Sequence, residues 1–108
     1  MDGLGLITVT THGTRVRLST TAYNCNGISI QPYRAVGASG VAPTSNTGNI
    51  YLMKGNVVKG ATGAHIVAVI ESDTPMFTLR AEAMLGYTVS DFYLDADNDG
   101  DGAVVSYA

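Results

Sequence analysis

Residues 91–107, DFYLDADNDGDGAVVSY, admit two readings that lead to different folds. Aspartates at alternate positions followed by glycines suggest the calcium loop of a helix-loop-helix protein. The same residues also suit a strand, a sharp turn and a returning strand. A calcium loop of that kind needs oxygen ligands at positions 1, 3 and 5, glycine at 6 and a bidentate glutamate at 12. Asp95, Asp97, Asp99 and Gly100 fit the first half, but position 9 is Ala103 and position 12 is Ser106. Without the closing glutamate the cage lacks two oxygens, and too few residues follow for an exiting helix. The strand reading accounts for more: DFYLDAD runs extended, Asn and Gly in NDGDG accept the positive φ of a tight turn, and AVVSY returns. A C-terminal β-hairpin is therefore expected. Asp95, Asp97, Asp99 and Asp101 then lie on one solvent side of it, where a loosely held cation would relieve their repulsion. Asp95, Asp97 and Asp99 are the candidate metal ligands on this reading.

The rest of the chain follows the strand pattern. No window of a dozen residues carries apolar side chains at helical spacing without an interrupting Gly or Pro, and 13 glycines punctuate short segments rich in Val, Ile, Thr and Tyr. These are LITVT (6–10), TRVRLS (14–19), GISIQPY (27–33), NIYLMK (49–54), HIVAVIE (65–71), MFTLRA (76–81), DFYLDA (91–96) and AVVSY (103–107). Val16 and Leu18 alternate with Arg15 and Arg17, and Ile28 and Ile30 with Ser29 and Gln31, so each strand has one dry face. The expected fold is all-β: a single small β-sandwich, with jelly-roll order as its compact form and a barrel as the alternative of equal strand count. Residues 35–48, AVGASGVAPTSNTG, read as one long Gly- and Ser-rich loop, and 82–90 as a connection with at most one helical turn.

Composition narrows the function classes. The 108 residues suffice for one domain, and 45% apolar against 14% charged residues argues for a folded core. Residues 91–108 carry five aspartates and no cation, while the six cations of the chain (Arg15, Arg17, Arg34, Lys54, Lys59, Arg80) are scattered. That distribution argues against nucleic acid as a partner. The longest aliphatic run, Ile66 to Ile70, is far below a membrane span, and MDGLGLITVT lacks the features of a secretion signal. A soluble protein that stays where it is made is expected.

Other chemistry is thin. Cys25 with His12 or His65 would make a nucleophile and base, but no third group orients them, and a free cysteine more often serves as a small buried hydrophobe. GNVVKGATG (55–63) resembles a phosphate loop only until Gly60, which Ala-Thr follows instead of Lys-Ser. The histidines lack a second ligand at metal spacing. Tyr23, Tyr33, Tyr51, Tyr87, Tyr93 and Tyr107 are the most suggestive aromatics, suited to sheet packing or a subunit interface. No catalytic or cofactor-binding residue and no cofactor are expected.

The order of three phrases says more than any of them alone: RVRLSTTAYNCNGISIQ (15–31), NTGNIYLMKG (46–55) and SDFYLDADNDGDGAVVSYA (90–108). It resembles a family of small tailed-phage virion proteins. In that family a Cys precedes an I-x-I-Q strand, an N-T-G-x-I-Y strand follows, and a Y-x-D-A…G-x-G-x-x-x-x-Y segment closes the chain. Cys25, Ile28, Ile30 and Gln31 look like the first motif. Asn46, Thr47, Gly48, Ile50 and Tyr51 look like the second, and Tyr93, Asp95, Gly100, Gly102 and Tyr107 like the third. All are fold-keeping residues. The chain departs from the pattern in the 35–48 loop.

The resemblance implies a non-enzymatic virion protein, a capsid decoration or cement protein on the head surface, made in the host cytoplasm. Its implied partners are the major capsid protein and itself, as a homo-oligomer, trimer first and dimer second. On this reading the N-terminal segment 1–12 either adds to a neighbour's sheet or forms the first strand of its own. The alternative is a lectin-like tail or fibre module, for which Tyr93, Asp95, Asp97, Asn98 and Asp99 are the one suitable crowding. A hydrolase using the aspartates is the enzymatic rival.

Overall fold

The structure, a computed structural model, describes residues 2–34, 46–55, 66–80 and 86–108. Within them the strands are β1 (Asp2–Thr8), β2 (Val16–Arg17), β3 (Asn24–Cys25), β4 (Gly27–Pro32), β5 (Ile50–Lys54), β6 (Ile66–Ile70), β7 (Phe77–Arg80), β8 (Tyr87–Thr88), β9 (Phe92–Ala96) and β10 (Gly102–Tyr107), with one 3-10 turn at Val89–Asp91. Each segment expected from the sequence contains a strand. The ribbon β3-β8 was not expected, since two-residue strands leave no periodic trace.

Two four-stranded antiparallel sheets form, in the orders β1-β10-β4-β7 and β2-β9-β5-β6. With the short ribbon set aside, the eight remaining strands pair first with last, second with seventh, third with sixth and fourth with fifth. Two further pairings, β10 with β4 and β9 with β5, complete the sheets. That is a long antiparallel hairpin rolled up on itself, the jelly-roll arrangement. The fold class is all-β, as the alternation of the sequence implies. β1 belongs to its own sheet, paired along its length with β10; it begins four residues before the LITVT segment.

Alternation decides what fills the space between the sheets. Ile28 and Ile30 of β4 and Ala103 and Val105 of β10 enter one cluster with Ile50, Leu52, Ile70, Phe92, Leu94 and Ala96 of the other sheet. Each large member contributes about 1.5–3 kcal/mol by leaving water. Cys25 also lies in this cluster. On the outer face of β9, Tyr93 and Asp95 are buried as well. Arg17 lies over Tyr93, its guanidinium carbon 5.2 Å from the ring centre, and donates Nε to the phenol oxygen at 2.8 Å.

The C-terminal segment corrects one expectation. β9 pairs with β2 and β5, whereas β10 pairs with β1 and β4, so the two strands stand in opposite sheets and form no hairpin. Residues 97–101 cross from one sheet to the other, a gap of about 10 Å in stacked sheets. A two-residue hairpin turn would not reach. Gly100, with φ of +85°, turns the chain within the crossing. A Cβ there would also stand 2.6 Å from Arg34 Nη2. Gly100→Val is accordingly expected to cost about 2 kcal/mol, from the left-handed backbone, since the end of the Arg34 side chain can swing aside. An unchanged melting temperature would count against the placement of this turn.

Candidate functional site

The crossover after β9 is the most connected polar region among the described residues, and its aspartates do not line one side of a ribbon. Asp95 and Asp101 are fully buried while Asp97 and Asp99 are exposed. The reason is partnership: each carboxylate accepts from a different part of the chain.

Asp95 Oδ1 accepts from the amide of Gly13 at 2.8 Å and from Ala96 N at 2.8 Å; its Oδ2 is buried with no hydrogen-bond partner. Asp97 Oδ1 accepts from the Tyr51 hydroxyl at 2.8 Å. Burial, and then the bond to Asp97 with its charge, push the Tyr51 phenol above its ordinary range. Asp99 Oδ1 accepts from His12 N at 2.8 Å and lies 2.6 Å from His12 Nδ1.

Asp101 makes the densest set. Its carboxylate accepts from Thr47 N at 3.0 and 3.1 Å, from Thr47 Oγ1 at 3.2 and 3.1 Å and from Gly48 N at 2.9 Å. Arg34 Nε lies 3.7 Å away. Beside it the Asn46 side chain copies a strand partner: its Nδ2 donates to Gly102 O at 2.8 Å, and its Oδ1 accepts from Gly102 N at 3.0 Å. Backbone bonds from Val9 N to Asp101 O and from Gly100 N to Val9 O, both 2.8 Å, complete the joint. The stretch that looked like a cation loop thus ties together the β1-β2 connection, residues 46–48 and the crossover. Backbone amides and side-chain donors supply the positive ends of dipoles that a metal would otherwise supply.

The candidate ligands Asp95, Asp97 and Asp99 are therefore directed to three different partners. Among the described residues no group of three or more His, Cys, Asp or Glu side chains is placed to hold a metal ion. Asp101, absent from that ligand set, has the largest role. The signal for it lay in two separated phrases, Asn46-Thr47-Gly48 and Asp101-Gly102, which nothing in a single sequence shows to be neighbours.

The His12 contact sets a pH response. The backbone amide and then the ring of His12 hold the Asp99 carboxyl below its ordinary 3.8. A depressed folded value means that the stabilisation is present above the unfolded value and is lost as pH falls through the folded one, so it disappears only below about pH 4. His12→Ala removes the ring and keeps the backbone amide, so the Asp99 carboxyl titration, followed by NMR, is expected to move part of the way up toward the ordinary value; an unmoved titration would show the ring contact to be absent in solution.

The remaining candidates separate. Cys25 is buried in the core, while His12 is exposed and held by Asp99. Burial raises the Cys25 thiol above its ordinary 9.0, against the smaller opposing pull of a Gly27 backbone bond. A thiol of that kind is inert. Native protein is expected to leave a disulfide reagent unconsumed until denaturant is added; fast labelling of the folded protein would contradict its burial. His65, residues 35–45 of the long loop and 56–63 of the phosphate-loop-like segment lie outside the described residues. Tyr23 stacks on Tyr107 with ring centres 5.0 Å apart, and Tyr87 meets Phe92 edge-on at 5.4 Å. Tyr87 and Tyr107 pack against the core from its edge, with Phe92 inside it, whereas Tyr23 is exposed.

A shallow cleft of about 190 Å³ lies on the outer face of the first sheet, lined by Asn26, Gly27, Ser29, Thr78, Arg80 and Ala108. Hydroxyls, one amide and one guanidinium can hold a small polar group there, but none of these side chains is a general base near neutral pH. No family model matches the chain, and no curated protein or solved structure matches it.

Proposed function

We propose that the protein is a non-enzymatic structural protein of a bacteriophage virion, a capsid decoration protein that binds the outer surface of the head and stabilises it. Its partners on this reading are the major capsid protein and further copies of itself. The observation that carries the proposal is the jelly-roll strand order, an architecture that viral capsid and lectin domains use, in a chain whose three motifs follow the order of the small phage virion proteins. The polar groups of those motifs support the same reading. Asn46, Thr47, Gly48, Asp101 and Gly102 bond to one another and serve rigidity, which a cement protein needs and a flexible recognition loop does not.

The lectin-like tail or fibre module remains the rival. The jelly roll serves it equally well, and the exposed Asp97, bonded to Tyr51 and followed by Asn98, is a polar and aromatic surface group that would suit it.

The test is co-sedimentation of the purified protein with expanded heads lacking it, with and without chelator, and with tails as a parallel bait. Saturable binding to heads that ignores chelator is the expected result. Binding to tails only, or to neither, would overturn the decoration reading, and glycan binding abolished by chelator would establish the rival.

A further inference from the structure

Among the described residues, Arg80 is the arginine whose side chain has no partner. Arg15 donates to Gly13 O, Arg17 to the Tyr93 hydroxyl and Arg34 to Asp99 O beside the Asp101 carboxylate. Arg80, exposed at the end of β7, makes no side-chain hydrogen bond or ion pair among those residues. A guanidinium presents N–H donors in a rigid plane that matches a carboxylate through two parallel bonds.

The sheet builds the cleft beside it. β4 and β7 pair with Gly27 opposite Arg80 and Ser29 opposite Thr78. Positions facing each other on one side of a sheet stand about 4.5–5.5 Å apart. Alternation turns these four away from the core that Ile28 and Ile30 enter and that Phe77 and Leu79 pack against. Gly27 has no side chain to fill the space next to Arg80. Asn26 and Ala108 complete the cleft of about 190 Å³, with the Ala108 oxygen held by the amides of Asn26 and Gly27 at 2.7 and 3.3 Å.

The floor is polar and underused. Ser29 is 4% exposed, and its hydroxyl meets only Thr78 Oγ1 at 3.5 Å among the described residues. That is longer than the about 2.5–3.0 Å of a good O–H···O bond, so a buried hydroxyl keeps bonding capacity that the fold does not use. The two ends of the cleft differ in kind. Arg80 offers donors and positive charge, whereas the Ala108 end presents oxygen, which accepts from hydroxyls and disfavours a second acid group. The crossover aspartates lie near Gly102, at the other end of β10 and about 20 Å along the strand from Ala108. That exceeds the roughly 8–10 Å over which exposed charges act in salt, so they leave Arg80 free for an anion from outside.

We propose that this cleft binds a small hydroxylated organic acid, such as a sugar acid, whose carboxylate pairs with Arg80 while its hydroxyls bond Ser29, Thr78 and the Ala108 oxygen. The volume falls below the roughly 300–1,000 Å³ of pockets for drug-sized ligands, which limits the bound part to roughly one sugar ring. The acid is either free in solution or the end of a glycan, since the same chemistry serves both. The site does not rest on the decoration reading.

NMR titration of the isotope-labelled full chain at fixed ionic strength tests it, with glucuronate, a methyl glucuronide, acetate and glucose as probes. Glucuronate is expected to shift the amides of Gly27, Ser29, Thr78 and Arg80 saturably, with a dissociation constant of about 1 mM, the scale open to so small a ligand in an exposed cleft. Acetate lacks the hydroxyls and glucose lacks the acid. Each is expected to bind about tenfold more weakly, the effect of losing one charge-assisted hydrogen bond or two neutral ones. The methyl glucuronide, blocked as in a glycan, separates the sources: binding like that of glucuronate assigns the site to a glycan end, and its loss with glucuronate binding kept assigns it to the free acid. Arg80→Gln is expected to weaken glucuronate binding at least about tenfold and Thr78→Val roughly threefold, both melting like wild type. Lys54→Gln, which removes an exposed cation of the other sheet, is expected to bind as before. No saturable shift, shifts centred away from the cleft, acetate or glucose binding as tightly as glucuronate, or an Arg80→Gln variant that binds like wild type would each overturn the inference. A protein that binds heads and no acid refutes the site alone; one that binds the acid and no heads refutes the decoration reading alone.

Discussion

Asp101→Ala is expected to be among the most damaging single substitutions in this protein. The carboxylate is inaccessible to solvent and accepts from two backbone amides and a hydroxyl, with a guanidinium nearby. Alanine leaves the Thr47 and Gly48 amides without an acceptor and Arg34 without its anion. Removing one partner from a buried charged network costs about 3–5 kcal/mol, because the groups left behind pay their full desolvation. For a domain of this size that lowers the melting temperature by more than roughly 12 °C. Asp101→Asn keeps one acceptor oxygen and should recover part of the loss. Urea titration of wild type and both variants checks the ordering; an Asp101→Ala variant within about 1 kcal/mol of wild type would mean that residues 46–48 are not held as described.

Gly102→Ala is expected to have an effect of similar size for a different reason. A Cβ at this position would lie 2.1 Å from the carbonyl oxygen of Ile7 and 3.0 Å from Thr8 Cα. Both are backbone atoms of β1, so no rotamer relieves the overlap. The strands must separate where Thr8 faces Gly102, and the Asn46 clasp on Gly102 moves with them. Overpacking costs about 1–3 kcal/mol when side chains can adjust; against rigid backbone the upper end or beyond is expected. Gly3→Ala provides the contrast, since its Cβ would meet nothing within 4 Å in the same strand pair. Gly3→Ala should stay within about 0.5 kcal/mol of wild type, and equal melting of the two variants would refute the close approach.

How far the sequence carries can be judged from these same residues. Ile28, Ile30, Leu52 and Leu94 announce the dry faces of their strands, because a period of two is a local property and survives in a single chain. The class of the fold and the placing of its main strands were legible for that reason. Which sheet each strand joins is not local. DFYLDA and AVVSY, separated by a turn-rich segment, look like a hairpin whether or not they pair. Only the partners of Asp97 to Asp101, from as far away as His12 and Thr47, show that the segment crosses between sheets. The aspartates misled in the same way: alternation placed Asp95 and Asp101 in water, and loops from elsewhere cover them.

The pairing of first strand with last also fixes when the protein can fold. Of the eight main strands, only β5 and β6 are both consecutive in the chain and bonded to each other. Every other ladder joins segments far apart in sequence, with β1 waiting for residues 102–107. Loop-closure entropy must be spent before those contacts reward it, which places the folding time in the millisecond-to-second range of strongly non-local β-proteins. On the ribosome the first sheet cannot close until β10 has left the exit tunnel, and until then β1 and β4 lack the strand that lies between them. The interval of synthesis from residue 8 to residue 107 is thus the period in which this chain is most open to aggregation.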